Sequence, residues 1–220
     1  GPMNSAKDLF NTILSYTSFY DSPQEYHYFL EMVTELQIKC YKEIIKAVGN
    51  INRLTCIDFD PLWAPEGRKG FVSDDVCGSF CPEIFKTFSI PYNNSIFKIW
   101  RGGRIHNCGP NPSLHLYLHH DPEINGLNCS YKYSINDISR IKKEFKGKGI
   151  VEFMFDNNES FTEITKGYEE IANVLSPDVI AIPLVWLNEK WNDNDIKDLY
   201  HDLKAISNRY AYEINWVGDK

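Results

Sequence analysis

This sequence of 220 residues lacks the features that mark membrane proteins and nucleic-acid-binding proteins. None of its apolar runs approaches the roughly 20 residues that span a bilayer, and its first residues lack the basic start and apolar middle of a signal peptide. The net charge is −7, and the one basic run, Arg140–Lys148, has the spacing of a solvated helix face rather than of a phosphate-binding surface. We therefore expect neither a membrane nor a nucleic acid as a partner.

A disulfide framework is also not expected. The six cysteines are spread from Cys40 to Cys129 and do not resemble a small disulfide scaffold. We predict a reducing, cytoplasmic setting, in which thiols are either packed in the core or act as metal ligands and catalytic groups. What the sequence does have is 43% hydrophobic and 14% aromatic residues, which is typical of a globular protein. We predict a single domain over residues 1–220.

Segments with helical periodicity alternate with short apolar runs along most of the chain. Strands separated by helices are typical of a parallel sheet with the helices outside it. The predicted helices are Pro23–Val48, two pieces after Pro82 that are interrupted near Pro91, Pro112–His119, Ile135–Phe145, Ser160–Leu175 and Asp193–Ser207. The predicted strands are Leu54–Phe59, Arg104–Cys108, Gly126–Cys129, Ile150–Phe155, Val179–Trp186 and a final strand-like Tyr210–Trp216.

About five of these strands lie between Leu54 and Trp186, which is fewer than the eight of a closed barrel. The chain is therefore a fragment, a natural half-barrel that closes by association, or an open sheet. Exposed sheet edges promote association. We accordingly expect a homodimer, or pairing with an amino-terminal half that this chain lacks.

The sharpest local feature is the strand end that contains His106 and Cys108. Side chains alternate along a strand, so these two project to the same face, and Gly109 and Pro110 end the strand directly afterwards. An imidazole and a thiolate on one face suit zinc. A histidine and a cysteine packed at a strand end would have the same spacing, because the pair alone is a weak motif.

A second feature is an acidic pair, Asp74 and Asp75, at the end of an extended stretch. Adjacent carboxylates in an extended chain point in opposite directions, so at most one of them faces a site. Cys77 follows in a loop, and Cys81 takes the cap position before a helix that Pro82 begins. The spacing of these two cysteines is weak evidence for zinc, and packing explains it as well.

The order of these segments resembles the uroporphyrinogen decarboxylase-like family. The strand end His106–Gly109 resembles the His-x-Cys-Gly segment of the cobamide-dependent methyltransferase branch, and the resemblance runs from Gly1 to about Ser207. The segments that carry it are Gly1–Ala6, Tyr20–Pro23, Ser73–Asp75, Cys81–Phe85, Pro91–Tyr92 and His106–Gly109.

This resemblance implies a (β/α)8 TIM-barrel-like fold whose amino-terminal strands are missing from this chain. It also implies a zinc-dependent methyltransferase that moves a methyl group between a methylated corrinoid, carried by a corrinoid protein, and a small thiol substrate. The family's residue roles carry over only to His106 and Cys108, which would bind the zinc. We further predict Asp75 as a catalytic residue, and Asp74, Asn107, Asn111 and Cys129 as substrate-binding residues. A porphyrinogen decarboxylase-like enzyme and a non-catalytic half-barrel that acts with a partner are the alternatives.

The third metal ligand is open at this point. The family's later cysteine belongs near the last strand, where this chain reads Ile182–Glu189 without a cysteine. The candidates are Cys77, Cys129, Asp156, Glu189 or another group, unless no metal is bound. Cys77 is preferred because its loop follows a neighbouring strand and because a thiolate suits zinc. We predict the functional edge of the sheet at the strand ends near Phe59, Cys108, Cys129, Asp156 and Trp186.

Overall fold

The computed structural model describes residues 1–54, 69–120 and 124–212, and over these residues the protein is of the α/β class. The described helices are α1 (Pro2–Leu9), α2 (Thr12–Asp21), α3 (Pro23–Val48), α4 (Pro82–Phe88), α5 (Ile90–Trp100), α6 (Tyr131–Ser134), α7 (Ile138–Phe145), α8 (Phe161–Leu175) and α9 (Asp193–Tyr212). The described strands are β1 (Gly70–Ser73), β2 (Gly103–His106), β3 (Ile124–Ser130), β4 (Ile150–Phe155) and β5 (Ile180–Val185). Short 3-10 turns lie at Ile51–Arg53, Asp75–Ser79, Leu114–His119 and Ile135–Asp137.

The five strands form one sheet in the order β1-β2-β3-β4-β5. β1 runs parallel to β2 with Ser73 beside His106, and β4 runs parallel to β5 with Phe155 beside Val185. Each strand lies beside the next one in the chain. Each connection therefore carries the chain from the carboxyl end of one strand back to the start of the neighbouring strand, as the alternation of helices and strands predicted.

Several predicted elements are confirmed closely. α3 begins at Pro23, whose missing N–H is no loss in a first helical turn, and ends at Gly49, which has a left-handed φ of 82°. The break between α4 and α5 falls at Ser89, just before Pro91 in the first turn of α5. β4 has the predicted bounds, and α8 begins directly after Ser160, which forms a capping box with Glu163.

The extended stretch predicted before Asp74 is confirmed as a strand of the sheet, β1. Other predictions need correction. The helix predicted at Pro112–His119 is a 3-10 turn. Tyr210–Tyr212 continue α9 instead of beginning a strand, and the rest of that predicted strand lies outside the described residues. The predicted strand Leu54–Phe59 and its end at Phe59 also lie, after Leu54, outside the described residues.

The chain divides into two compact units, one from residues 1–107 and 111–126, the other from residues 108–110 and 127–220. In the first unit Phe19 is the centre of an aromatic cluster, with ring centroids 4.9 Å from Tyr26, 4.9 Å from Phe80 and 5.0 Å from Phe88. These contacts fix α2 and α3 against α4. The buried core around them comprises Met3, Ala6, Phe19, Tyr26, Leu30, Val33, Val76, Ile84, Phe88 and Tyr92.

In the second unit, Tyr168 of α8 contacts both β5 and α9. The hydroxyl of Tyr168 donates to the carbonyl oxygen of Ala181 over 3.2 Å and lies 2.8 Å from the hydroxyl of Ser207. Since Tyr168 is buried, these contacts satisfy a polar group that would otherwise be costly in the core. Over the described residues of both units, no helix combines the length and the apolar character needed to cross a membrane.

Candidate metal centre

The candidate site lies where β1 and β2 end. The register sets Ser73 beside His106, so the chain leaving β1 enters Asp74 and Asp75 next to the end of β2. The backbone N–H of Asp74 donates to the carbonyl oxygen of His106 over 2.8 Å. The next residue begins the 3-10 turn Asp75–Ser79. In α/β proteins, catalytic and ligand-binding sites lie beside the carboxyl ends of the parallel strands.

His106 and Asp75 contact each other at this edge. Nε2 of His106 lies 3.1 Å from Oδ1 of Asp75. The histidine side chain is 5% exposed and the aspartate side chain 41%, so the carboxylate forms the solvent-facing side of the pair. The imidazole also stacks on Phe71, with ring centroids 6.0 Å apart, and this packing restricts the orientation of the ring.

The second carboxylate oxygen of Asp75, Oδ2, accepts hydrogen bonds from two side chains. Ser73 Oγ donates to Asp75 Oδ2 over 2.9 Å, and Asn4 Nδ2 donates to the same oxygen over 3.2 Å. Asn4 is itself fixed, because its Oδ1 accepts from the backbone N–H of Val76 at 3.0 Å and its Nδ2 also donates to Ser73 Oγ at 3.1 Å. These bonds direct Oδ1 of Asp75 toward His106.

Cys108 follows His106 by two residues, so the chain itself keeps its thiol near the imidazole. The carbonyl oxygen of Cys108 accepts from the backbone N–H of Ser130 at 3.2 Å and from Ser134 Oγ at 3.3 Å. Gly109 follows with a φ of +105°, a conformation that L side chains rarely adopt, and a Cβ there would approach Ser134 Oγ to 2.7 Å. A glycine is therefore required directly after the cysteine.

One ligand atom each from Asp75, His106 and Cys108 lies within 4.8 Å of the other two. On a tetrahedral zinc ion, two nitrogen or oxygen ligands lie about 3.3 Å apart and a sulfur lies about 3.6 Å from either, given the usual bond lengths. The 3.1 Å between Asp75 and His106 is close to the first separation. A carboxylate, an imidazole and a thiolate are also all accepted zinc ligands. The ligand types and this one separation are therefore compatible with a metal ion.

Cys77, the third ligand preferred from the sequence, lies outside this group of described residues, whereas Asp75 lies within it. The Cys77 side chain is fully buried, and its Sγ lies 3.4 Å from the hydroxyl of Tyr117 and accepts from Asn107 Nδ2 at 2.9 Å. Burial raises the pKa of the Cys77 thiol well above its usual value. A thiol that stays protonated and enclosed is a poor metal ligand. Within the described residues, Cys129, Asp156 and Glu189 are not in the group either.

Asn107 and Asn111, predicted to bind substrate, are instead buried around Tyr117. Asn107 Nδ2 donates to the hydroxyl of Tyr117 over 2.9 Å, and that hydroxyl donates to Asn111 Oδ1 over 2.9 Å. Burial raises the pKa of Tyr117 well above its usual value, so the hydroxyl stays protonated and able to donate. Because Asn107 stands between His106 and Cys108, this buried cluster fixes the backbone between two of the potential ligands.

Asp74 is not at the site surface, although it was predicted to bind substrate. Its side chain is fully buried, and its Oδ2 accepts from Ser89 Oγ and, at 2.8 Å, from Asn93 Nδ2. Burial raises the pKa of this carboxyl above its usual value. Asp74 therefore joins the end of β1 to α5 and leaves Asp75 alone to face His106.

Cys129 was also predicted to contact substrate. It lies on β3, is fully buried, and burial raises the pKa of its thiol to about 12. Such a thiol packs in the core, and the substrate contact of Cys129 stays a prediction. The sequence did not mark Asn4, Ser73 or Tyr117 as site residues. Their roles depend on contacts of Asn4 with residues 73–76 and of Tyr117 with Cys77, which lie far apart in the chain.

No family model matches the chain, and no curated protein matches it. The class of the protein is therefore described from its fold and its candidate site alone. It is an α/β protein with a five-stranded parallel sheet and a group of three potential metal ligands beside the carboxyl ends of β1 and β2.

Proposed function

We propose that the chain is a zinc-dependent methyltransferase that moves a methyl group between a methylated corrinoid and a thiol. The observation that carries this proposal is the group formed by Asp75, His106 and Cys108. Three protein ligands leave one position of a tetrahedral ion open, which distinguishes catalytic zinc sites from structural ones. The 41% exposure of the Asp75 side chain gives a thiol a route to that position from solvent.

The protein ligands have the charges that this chemistry requires. Zinc held there would lower the pKa of an incoming thiol and keep it as the thiolate nucleophile. Asp75 and Cys108 each contribute one negative charge, which together balance a divalent ion beside the neutral imidazole of His106. In the transfer, the sulfur–carbon bond forms as the cobalt–carbon bond breaks, and cobalt keeps the electron pair.

Two wider parts of the proposal rest on the sequence resemblance: a (β/α)8 barrel, and a corrinoid protein as the methyl-carrying partner. The reducing cytoplasm that would keep Cys108 as a thiol rests on the spread of the cysteines along the sequence. The parallel sheet supports the barrel, because each described strand adds to the sheet in chain order as the strands of a barrel do. The metal group supports the transfer.

Metal analysis and a transfer assay test the proposal together. Purified wild-type protein should bind one zinc ion per chain by elemental analysis, and His106→Ala and Cys108→Ala should each lose it. With methylcobalamin and a small thiol, the wild-type protein should accelerate the loss of the methyl–cobalt absorbance, and both variants should not.

Cys81→Ser is the matched control, because Cys81 is exposed and lies outside the metal group. It should retain both zinc and transfer. Failure of the wild-type protein to bind zinc under reducing conditions would contradict the proposal. Zinc binding without thiol methylation would leave a metal site whose reaction is of another class, and methyl transfer would then be wrong.

A further inference from the structure

We draw no further inference here: the strongest candidate, the largely apolar groove of about 370 Å³ between α1 and α3 that is lined in part by Leu9, Val33, Leu36 and Cys40, carries none because nothing in the structure shows what covers it.

Discussion

Oδ1 of Asp75 lies 3.1 Å from Nε2 of His106, while the preceding residue, Asp74, has its carboxylate buried against α5. Two adjacent carboxylates therefore have different surroundings. The 3-10 turn that begins at Asp75 turns one of them toward the imidazole, and Ser89 and Asn93 enclose the other.

This difference predicts opposite results for two substitutions of the same kind. Asp75→Asn should weaken zinc binding by about a hundredfold or more, because an amide replaces an anionic ligand. Asp74→Asn should leave zinc affinity within about threefold of the wild type, since the buried carboxyl does not reach the metal group and an amide oxygen can accept the same two hydrogen bonds. Competition with a chromophoric chelator measures both affinities. Equal losses in the two variants would mean that Asp75 is no ligand.

Asn4→Ala should weaken zinc binding by about tenfold to a hundredfold, because residues that orient a ligand contribute that much to metal affinity. Asn4 holds Oδ2 of Asp75 and thereby directs Oδ1 toward His106. The same chelator competition measures the loss.

Ser5→Ala is the control for this effect. It lies next to Asn4 on α1 and removes a hydrogen bond of similar kind, from Gln37 Nε2 over 2.7 Å, without touching Asp75. Its zinc affinity should equal that of the wild type. If both variants lose affinity equally, α1 acts on the site through overall stability and not through Asp75.

The sequence predicted α3 to the residue because three independent signals coincide there. Apolar periodicity gives the helix, Pro23 suits its first turn, and Gly49 provides the left-handed residue after its end. The nearness of Cys108 to His106 was also predictable, since only one residue separates them, but β2 ends at His106 and Cys108 lies beyond the strand.

What the sequence could not supply are contacts between distant residues. Asn4 lies 71 residues from the aspartate that it holds, and Tyr117 lies 40 residues from Cys77. Cys77 was preferred over Asp156 and Glu189 as a ligand on chemical grounds, whereas the structure brings Asp75 to His106 and Cys108 and buries Cys77 against Tyr117. Which of Asp74 and Asp75 faces the site likewise depends on a turn that the alternation rule does not describe.

Tyr117→Phe should reduce the free energy of unfolding by about 1–3 kcal/mol, because it removes a fully buried hydroxyl that contacts Asn107, Asn111 and Cys77. Zinc affinity should fall as well, by about tenfold, since Asn107 lies between His106 and Cys108. Urea unfolding and chelator competition measure the two effects.

Tyr133→Phe is the control, because Tyr133 is 55% exposed. A loss of stability with full zinc affinity would show that the cluster serves the fold alone.

His120 is enclosed by apolar rings in the first unit. Its ring centroid lies 5.9 Å from that of Phe85 and 5.6 Å from that of Phe97, and its Nδ1 lies 2.8 Å from the carbonyl oxygen of Tyr117. Burial lowers the pKa of this histidine to about 4, because the charged form would lose its hydration.

The folded protein should therefore lose stability as the pH falls from about 6.5 to about 4. Over that range the unfolded chain, in which His120 has its ordinary pKa, binds a proton that the folded chain does not. The full loss is on the order of 3 kcal/mol. His120→Asn keeps a donor for the Tyr117 carbonyl and does not titrate, so its stability should fall less over the same range. Urea unfolding at a series of pH values measures the difference.

His201→Asn, at an exposed position of α9, should follow the wild-type profile. Identical profiles for the wild type and His120→Asn would contradict the assignment, because the acid sensitivity would then arise from other groups.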